Sequence, residues 1–137
     1  MQMTNLLVEK YLTAFVTMYT RKLGDFSIVN DTALVIHGVL EYCDHIELQV
    51  PGHVWEDMCY RYSGRMAVQD DVEVIIFEVG SNANLYPVRI RNERLESCRF
   101  GSHRIQTLNS LLDYKRGLGD ADAVEAILST LNASAVA

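Results

Sequence analysis

The chain has 137 residues, 49% apolar and 22% charged, and Asp plus Glu exceed Lys plus Arg by 18 to 12, for a net charge of -6. That length suits one domain able to bury roughly two-thirds of its unfolded surface. That charge works against non-specific attachment to nucleic-acid backbones or anionic membranes.

The three cysteines (Cys43, Cys59, Cys98) and four histidines follow no disulfide or zinc spacing. Free thiols in a reducing, cytoplasmic setting are expected. No secretory leader stands out at the N-terminus, and no apolar run approaches the roughly 20 residues of a membrane span.

Leu6, Leu7, Tyr11, Leu12, Phe15, Met18 and Tyr19 recur every three or four residues, which predicts an amphipathic helix from Thr4 to Leu23, stopped by Gly24. Phe26 to Val29 reads as a short strand. Asn30 and Asp31 are good N-caps for a short helix, Thr32 to His37, closed by Gly38. His45 to Val50 alternates polar and apolar residues, the pattern of a half-buried strand. Pro51 precedes a helix over His53 to Arg61. Strands are expected at Arg65 to Val68, Val72 to Val79, Tyr86 to Ile90 and Leu95 to Phe100. Ser81 to Asn84 reads as a turn, and Gly101-Ser102 as a hairpin turn toward Ile105. Two helices close the chain, one marked by Leu108, Leu111, Leu112 and Tyr114, the other capped by Asp120 with Val124, Ile127, Leu128 and Leu131 along one stripe. The order predicts an α/β (α+β) domain, a mixed sheet with helices packed on it, over residues 1–137, with a tail at 132–137 that frays.

The chemistry concentrates between Ile28 and Val50. A strand ends in a polar turn that opens a helix, and the next strand offers His45 and Glu47, two residues apart and so on one face. Backbone N–H groups at a helix start attract phosphate, and two metal-binding groups beside them suit phosphoryl or nucleotidyl transfer.

Thr32-Ala33-Leu34, His37-Gly38 and then His45-Ile46-Glu47 resemble the nucleotidyltransferase superfamily, in particular its antibiotic, minimal and abortive-infection toxin members. Leu111-Leu112-Asp113-Tyr114-Lys115-Arg116 and the acidic helix Asp120 to Ile127 are similar to segments of the toxin-like members. The resemblance implies a nucleotidyltransferase-like mixed sheet over roughly Phe26 to Leu131. It implies metal ligands and catalytic groups at His45, Glu47 and a third acid, Glu73 or less favourably Glu78. It also implies nucleotide contacts from Asn30, Asp31, Thr32 and Lys115. If the site is active, its cofactors are a divalent metal, magnesium or manganese, and a nucleoside triphosphate.

This chain departs from the family pattern where that ligand would sit. Asn30-Asp31 replaces a glycine pair, and His45 and Glu47 replace the Asp-x-Asp acids. Magnesium tolerates little displacement of its oxygen ligands and takes histidine poorly. The expectation is a catalytically degenerate member, a pseudoenzyme, that binds a partner or a nucleotide. The alternatives are an active metal-dependent nucleotidyltransferase acting on a protein or small molecule, and an antitoxin- or inhibitor-like interaction protein.

Plainer roles compete with these. His45 and Glu47 suit the wet side of a strand, Asp31 and Thr32 an N-cap, and Lys115 the dipole at a helix end. Cys43 suits a packed thiol. Arg89, Arg91, Arg94, Arg99 and Arg104 lie close in sequence and are expected on a solvated face.

Overall fold

In the computed structural model of the chain, residues 3–19, 22–69, 71–81, 84–92, 95–101 and 103–136 are described. The centre of the expected Ser81 to Asn84 turn, Arg94, Ser102 and Ala137 lie outside them. The elements are α1 (Asn5–Met18), β1 (Ser27–Ile28), α2 (Asn30–Ile36), β2 (Ile46–Gln49), α3 (Gly52–Arg61), a 3-10 turn (Ser63–Arg65), β3 (Met66–Gln69), β4 (Val72–Ser81), β5 (Asn84–Arg91), β6 (Ser97–Phe100), β7 (His103–Gln106), α4 (Leu108–Leu118) and α5 (Ala121–Val136). The last helix extends over the tail expected to fray.

Seven strands form one mixed sheet in the order β3-β4-β5-β2-β1-β7-β6. β2 runs parallel to β5, β1 runs parallel to β7, and the remaining pairs are antiparallel. β1, β2 and β4 share this sheet as expected, but β5 intervenes between β2 and β4.

Alternation along each strand gives the sheet two unlike faces, because paired residues point the same way. One registered row crosses all seven strands as Met66, Ile75, Ile90, Leu48, Ile28, Ile105 and Cys98. Ile75, Ile90, Leu48 and Ile28 in that row are fully buried, each worth about 1.5–3 kcal/mol. α1 covers this face, its Phe15 ring meeting Phe77 of β4 at 5.3 Å between centroids.

The adjacent row points to the other face and is polar across five strands: Arg91, Gln49, Ser27, Arg104 and Arg99. A second polar row includes Arg89 paired with Glu47, and Gln106 paired with Ser97.

α1 is shorter than its apolar periodicity suggests. Tyr19 leaves the helix in an extended conformation, and its ring joins Tyr62 and Phe77, with centroids 6.4 Å from each. α4 begins at Thr107, whose hydroxyl accepts from the Ser110 N–H, and ends on Gly119 in the left-handed region at φ 72. Asp120 caps α5 through the Ala123 N–H at 3.2 Å.

Candidate functional site

The site forms where β1 runs into α2. Asn30 sits at φ 55, a conformation that glycine adopts freely and asparagine tolerates better than most residues. The asparagine thus keeps the backbone shape that a glycine would give this turn. The expected side-chain caps do not form: Val29 occupies the N-cap position and no side chain caps the helix. Asn30 instead donates its backbone N–H to Gln106 Oε1 at 2.8 Å and its side-chain amide to Glu47 Oε2. Asp31 accepts from Lys115 Nζ at 2.8 Å.

Thr32 is fully buried. Its hydroxyl accepts from the Glu47 N–H at 2.9 Å and donates to the His45 carbonyl at 3.0 Å. Both roles are used in fixing β2 to α2, so this hydroxyl faces the strand rather than a ligand.

His45 and Glu47 do share a face beside Asn30, with Nε2 and Oε1 3.9 Å apart. They are buried, 8% and 7% exposed, rather than partly exposed as the alternation suggests. α2 and α4 close over them: Asn30, Asp31, Tyr114, Lys115 and Leu118 line the same cleft, together with Arg89 from β5.

The structure does not bring Glu73 to this cleft. Glu47 pairs with Arg89, and Arg89 pairs with Ile76. Glu73 therefore lies three residues along and two strands across from Glu47, about 14 Å at ordinary strand spacings. The odd offset turns it to the opposite face, where its charge is felt by Cys59 of α3. Glu78 shares the face of Glu47 but lies level with Pro87 and is exposed.

The residue level with Glu47 on the adjoining strand is Arg89. Its Nη1 lies 3.3 Å from His45 Nε2. Arginine can only donate, so Nε2 accepts and the imidazole proton sits on Nδ1, hydrogen-bonded to Asp44. That bond from His45 holds the Asp44 carboxyl below its ordinary range, against partial burial that pushes it up. Arg91, two residues on, sets Nη1 3.5 Å from Glu47 Oε2.

Lys115 is 8% exposed. Burial pulls its ammonium down, but the hydrogen bond and charge of Asp31, with Asp120, outweigh this and raise it. Cys43 is a packed thiol, pushed up to about 11 mainly by burial and hence unreactive. His37 Nε2 donates to the Gln106 carbonyl at 2.8 Å and joins α2 to β7.

The donor set does not suit a metal. Among the described residues no three His, Cys, Asp or Glu side chains converge on one point. His45 Nε2 already meets Arg89, and Glu47 Oε2 already meets Asn30 and Arg91. The cleft encloses about 80 Å³, well below the roughly 300–1,000 Å³ of pockets that enclose a drug-sized molecule. It has room for one small polar group. A larger groove of about 520 Å³ runs between α4 and α5, lined by Arg116, Val124, Leu128 and Ser129 among others, and none of the candidate residues borders it.

Arg89 and Arg91, expected on a solvated face, are instead drawn in by His45 and Glu47: Arg91 is 4% exposed and Arg89 borders the cleft. Gln106 was not singled out by its sequence. The Arg-x-Arg spacing on the β5 strand is a legible signal that both share a face; Gln106 gives none.

No protein-family model matches the chain, and no curated protein matches it in sequence. Among the described residues no helix is long and apolar enough to cross a membrane. One solved structure from Thermotoga maritima, provisionally described as a nucleotidyltransferase, superposes with a TM-score of 0.57 over 95% of this chain and 96% of its own, at 13% identity. At that identity the likeness speaks for architecture, and the chain has a nucleotidyltransferase-like fold.

Proposed function

We propose that this chain is a nucleotidyltransferase-fold protein that binds a nucleotide or a protein partner without transferring a nucleotidyl group. The observation that carries the reading is the ion pair of Glu47 with Arg91, Nη1 to Oε2 at 3.5 Å, beside Arg89 at the strand position level with Glu47. Nucleotidyl transfer relies on carboxylates that neutralise and bridge metal and phosphate. Here an arginine, Arg89, holds the strand position level with the one motif acid, and a second, Arg91, forms an ion pair with that acid. The imidazole that replaces the other acid presents its lone pair to Arg89 rather than to open space. Each of these interactions opposes metal loading at the same point.

The test is incubation of the purified chain with each labelled nucleoside triphosphate and magnesium or manganese, beside a Glu47→Gln variant. The expected result is no label on the chain or on any added acceptor. Transfer that disappears in Glu47→Gln would overturn the reading in favour of an active enzyme.

A further inference from the structure

Arg89 has hydrogen-bonding capacity left over. Its Nη1 meets the neutral Nε2 of His45, and its Nε is buried with no hydrogen-bond partner. Among the described residues no carboxylate forms an ion pair with it, whereas Arg91 has Glu47 and Lys115 has Asp31. Asp44 feels the charge of Arg89 but bonds His45. Arg89 borders the cleft, while its free Nε is itself shut off from solvent. Asn30 borders the same cleft, is 5% exposed, and has an Oδ1 with no hydrogen-bond partner. A guanidinium held partly out of water without a counter-ion is costly until an anion arrives. A ligand that meets Arg89 in the cleft carries an anionic oxygen for the guanidinium, as a phosphate group does. The volume of about 80 Å³ suits one such group and leaves the rest of any larger molecule outside.

We propose that Arg89, as a fixed cation, holds a phosphate oxyanion in this cleft with no metal taking part. The proposal deepens the binding reading above and rests on it. The chemistry is shared by inorganic phosphate and by the phosphate end of a nucleotide. A guanidinium suits either, since its planar fork offers parallel donors to two oxygens.

The experiment is calorimetric titration of the full chain with inorganic phosphate, with each nucleoside triphosphate and with the matching nucleosides, in EDTA and in magnesium at constant ionic strength. Phosphate-bearing probes should bind in EDTA at least as well as in magnesium, and the nucleosides should not bind. Inorganic phosphate competing with a triphosphate would assign the site to the phosphate group itself. Triphosphate binding with no effect of free phosphate would assign it to the nucleotide. Arg89→Gln should weaken binding by about tenfold or more. Arg89→Lys should restore part of it, and Arg61→Gln on the exposed side of α3 should change nothing. Circular dichroism and thermal unfolding confirm that each variant folds; if Arg89→Gln does not, Arg89→Lys with a titration of ionic strength replaces it. Binding that needs magnesium and survives Arg89→Gln would overturn the proposal, and so would absence of phosphate binding in every condition. Either failure leaves the transfer assay to judge the broader reading separately.

Discussion

Asn30 serves the site with two different parts of itself. Its backbone takes the left-handed turn at φ 55, and its side-chain amide bonds the buried carboxylate of Glu47. The two parts separate by substitution. Asn30→Gly keeps the turn and loses the amide, and Asn30→Ala loses both. We expect urea unfolding to show Asn30→Gly less stable than the parent by about 1–2 kcal/mol, from a lost hydrogen bond to a buried charge. Asn30→Ala should fall about 1 kcal/mol lower still, from left-handed strain. Equal losses in the two variants would mean that the backbone conformation carries no cost. At this scale sequence was a good guide to which residues meet and a poor guide to why. Thr32, His45 and Glu47 do come together, yet the Thr32 hydroxyl serves β2, and the imidazole of His45 answers Arg89. Arg89 was within reach of sequence reasoning through its spacing from Arg91. Its meaning depends on the register with Glu47, which no local pattern encodes.

Between elements, the contact that shapes the cleft is the one from α4 to α2. Lys115 Nζ reaches Asp31 at 2.8 Å and Asp120 at 3.8 Å. Its pKa is raised in the folded chain, so the sign of the linkage is fixed. The stabilisation is complete below the unfolded lysine value of about 10.4 and is lost as pH climbs through the higher folded value. Lys115→Met should therefore be less stable than the parent by about 1–2 kcal/mol at neutral pH, a modest figure because Asp31 is partly exposed. That gap should be constant from pH 7 to about 10 and narrow above it, as followed by thermal unfolding. A gap that does not narrow would show that Lys115 acts through packing of its stem alone. The elements themselves were largely legible, because alternation and helical periodicity fix what lies on which face. Their order in the sheet was not. β5 slots between β2 and β4 through a parallel pairing with β2, a non-local choice. That choice moves Glu73 away from the site and puts Arg89 there.

The molecule as a whole is a sheet with one dry and one polar face, and its strands are unequal in length. β4 and β5 run for ten and eight residues, while β1, which joins the halves β3-β4-β5-β2 and β7-β6, has two. A two-residue ladder offers few hydrogen bonds to hold a seam, and regions of that kind open at lower free energy than long central strands. Amide exchange should therefore be faster over 97–106 than over the described backbone of β4 and β5, as read by mass spectrometry of peptides. Protection over 97–106 equal to that of β4 would show that the sheet opens only as one unit. The seam also runs through the cleft. Glu47 and Arg89 stand on one side of it, while Gln106, which anchors Asn30, and α4, which carries Lys115, follow from the other. If exchange shows that seam opening first, the cleft is a joint between two plates whose aperture follows the short central strand. A bound group that bridges the plates would act as a clasp, and its first measurable trace would be slower exchange in the β6–β7 hairpin, several residues from anything it touches.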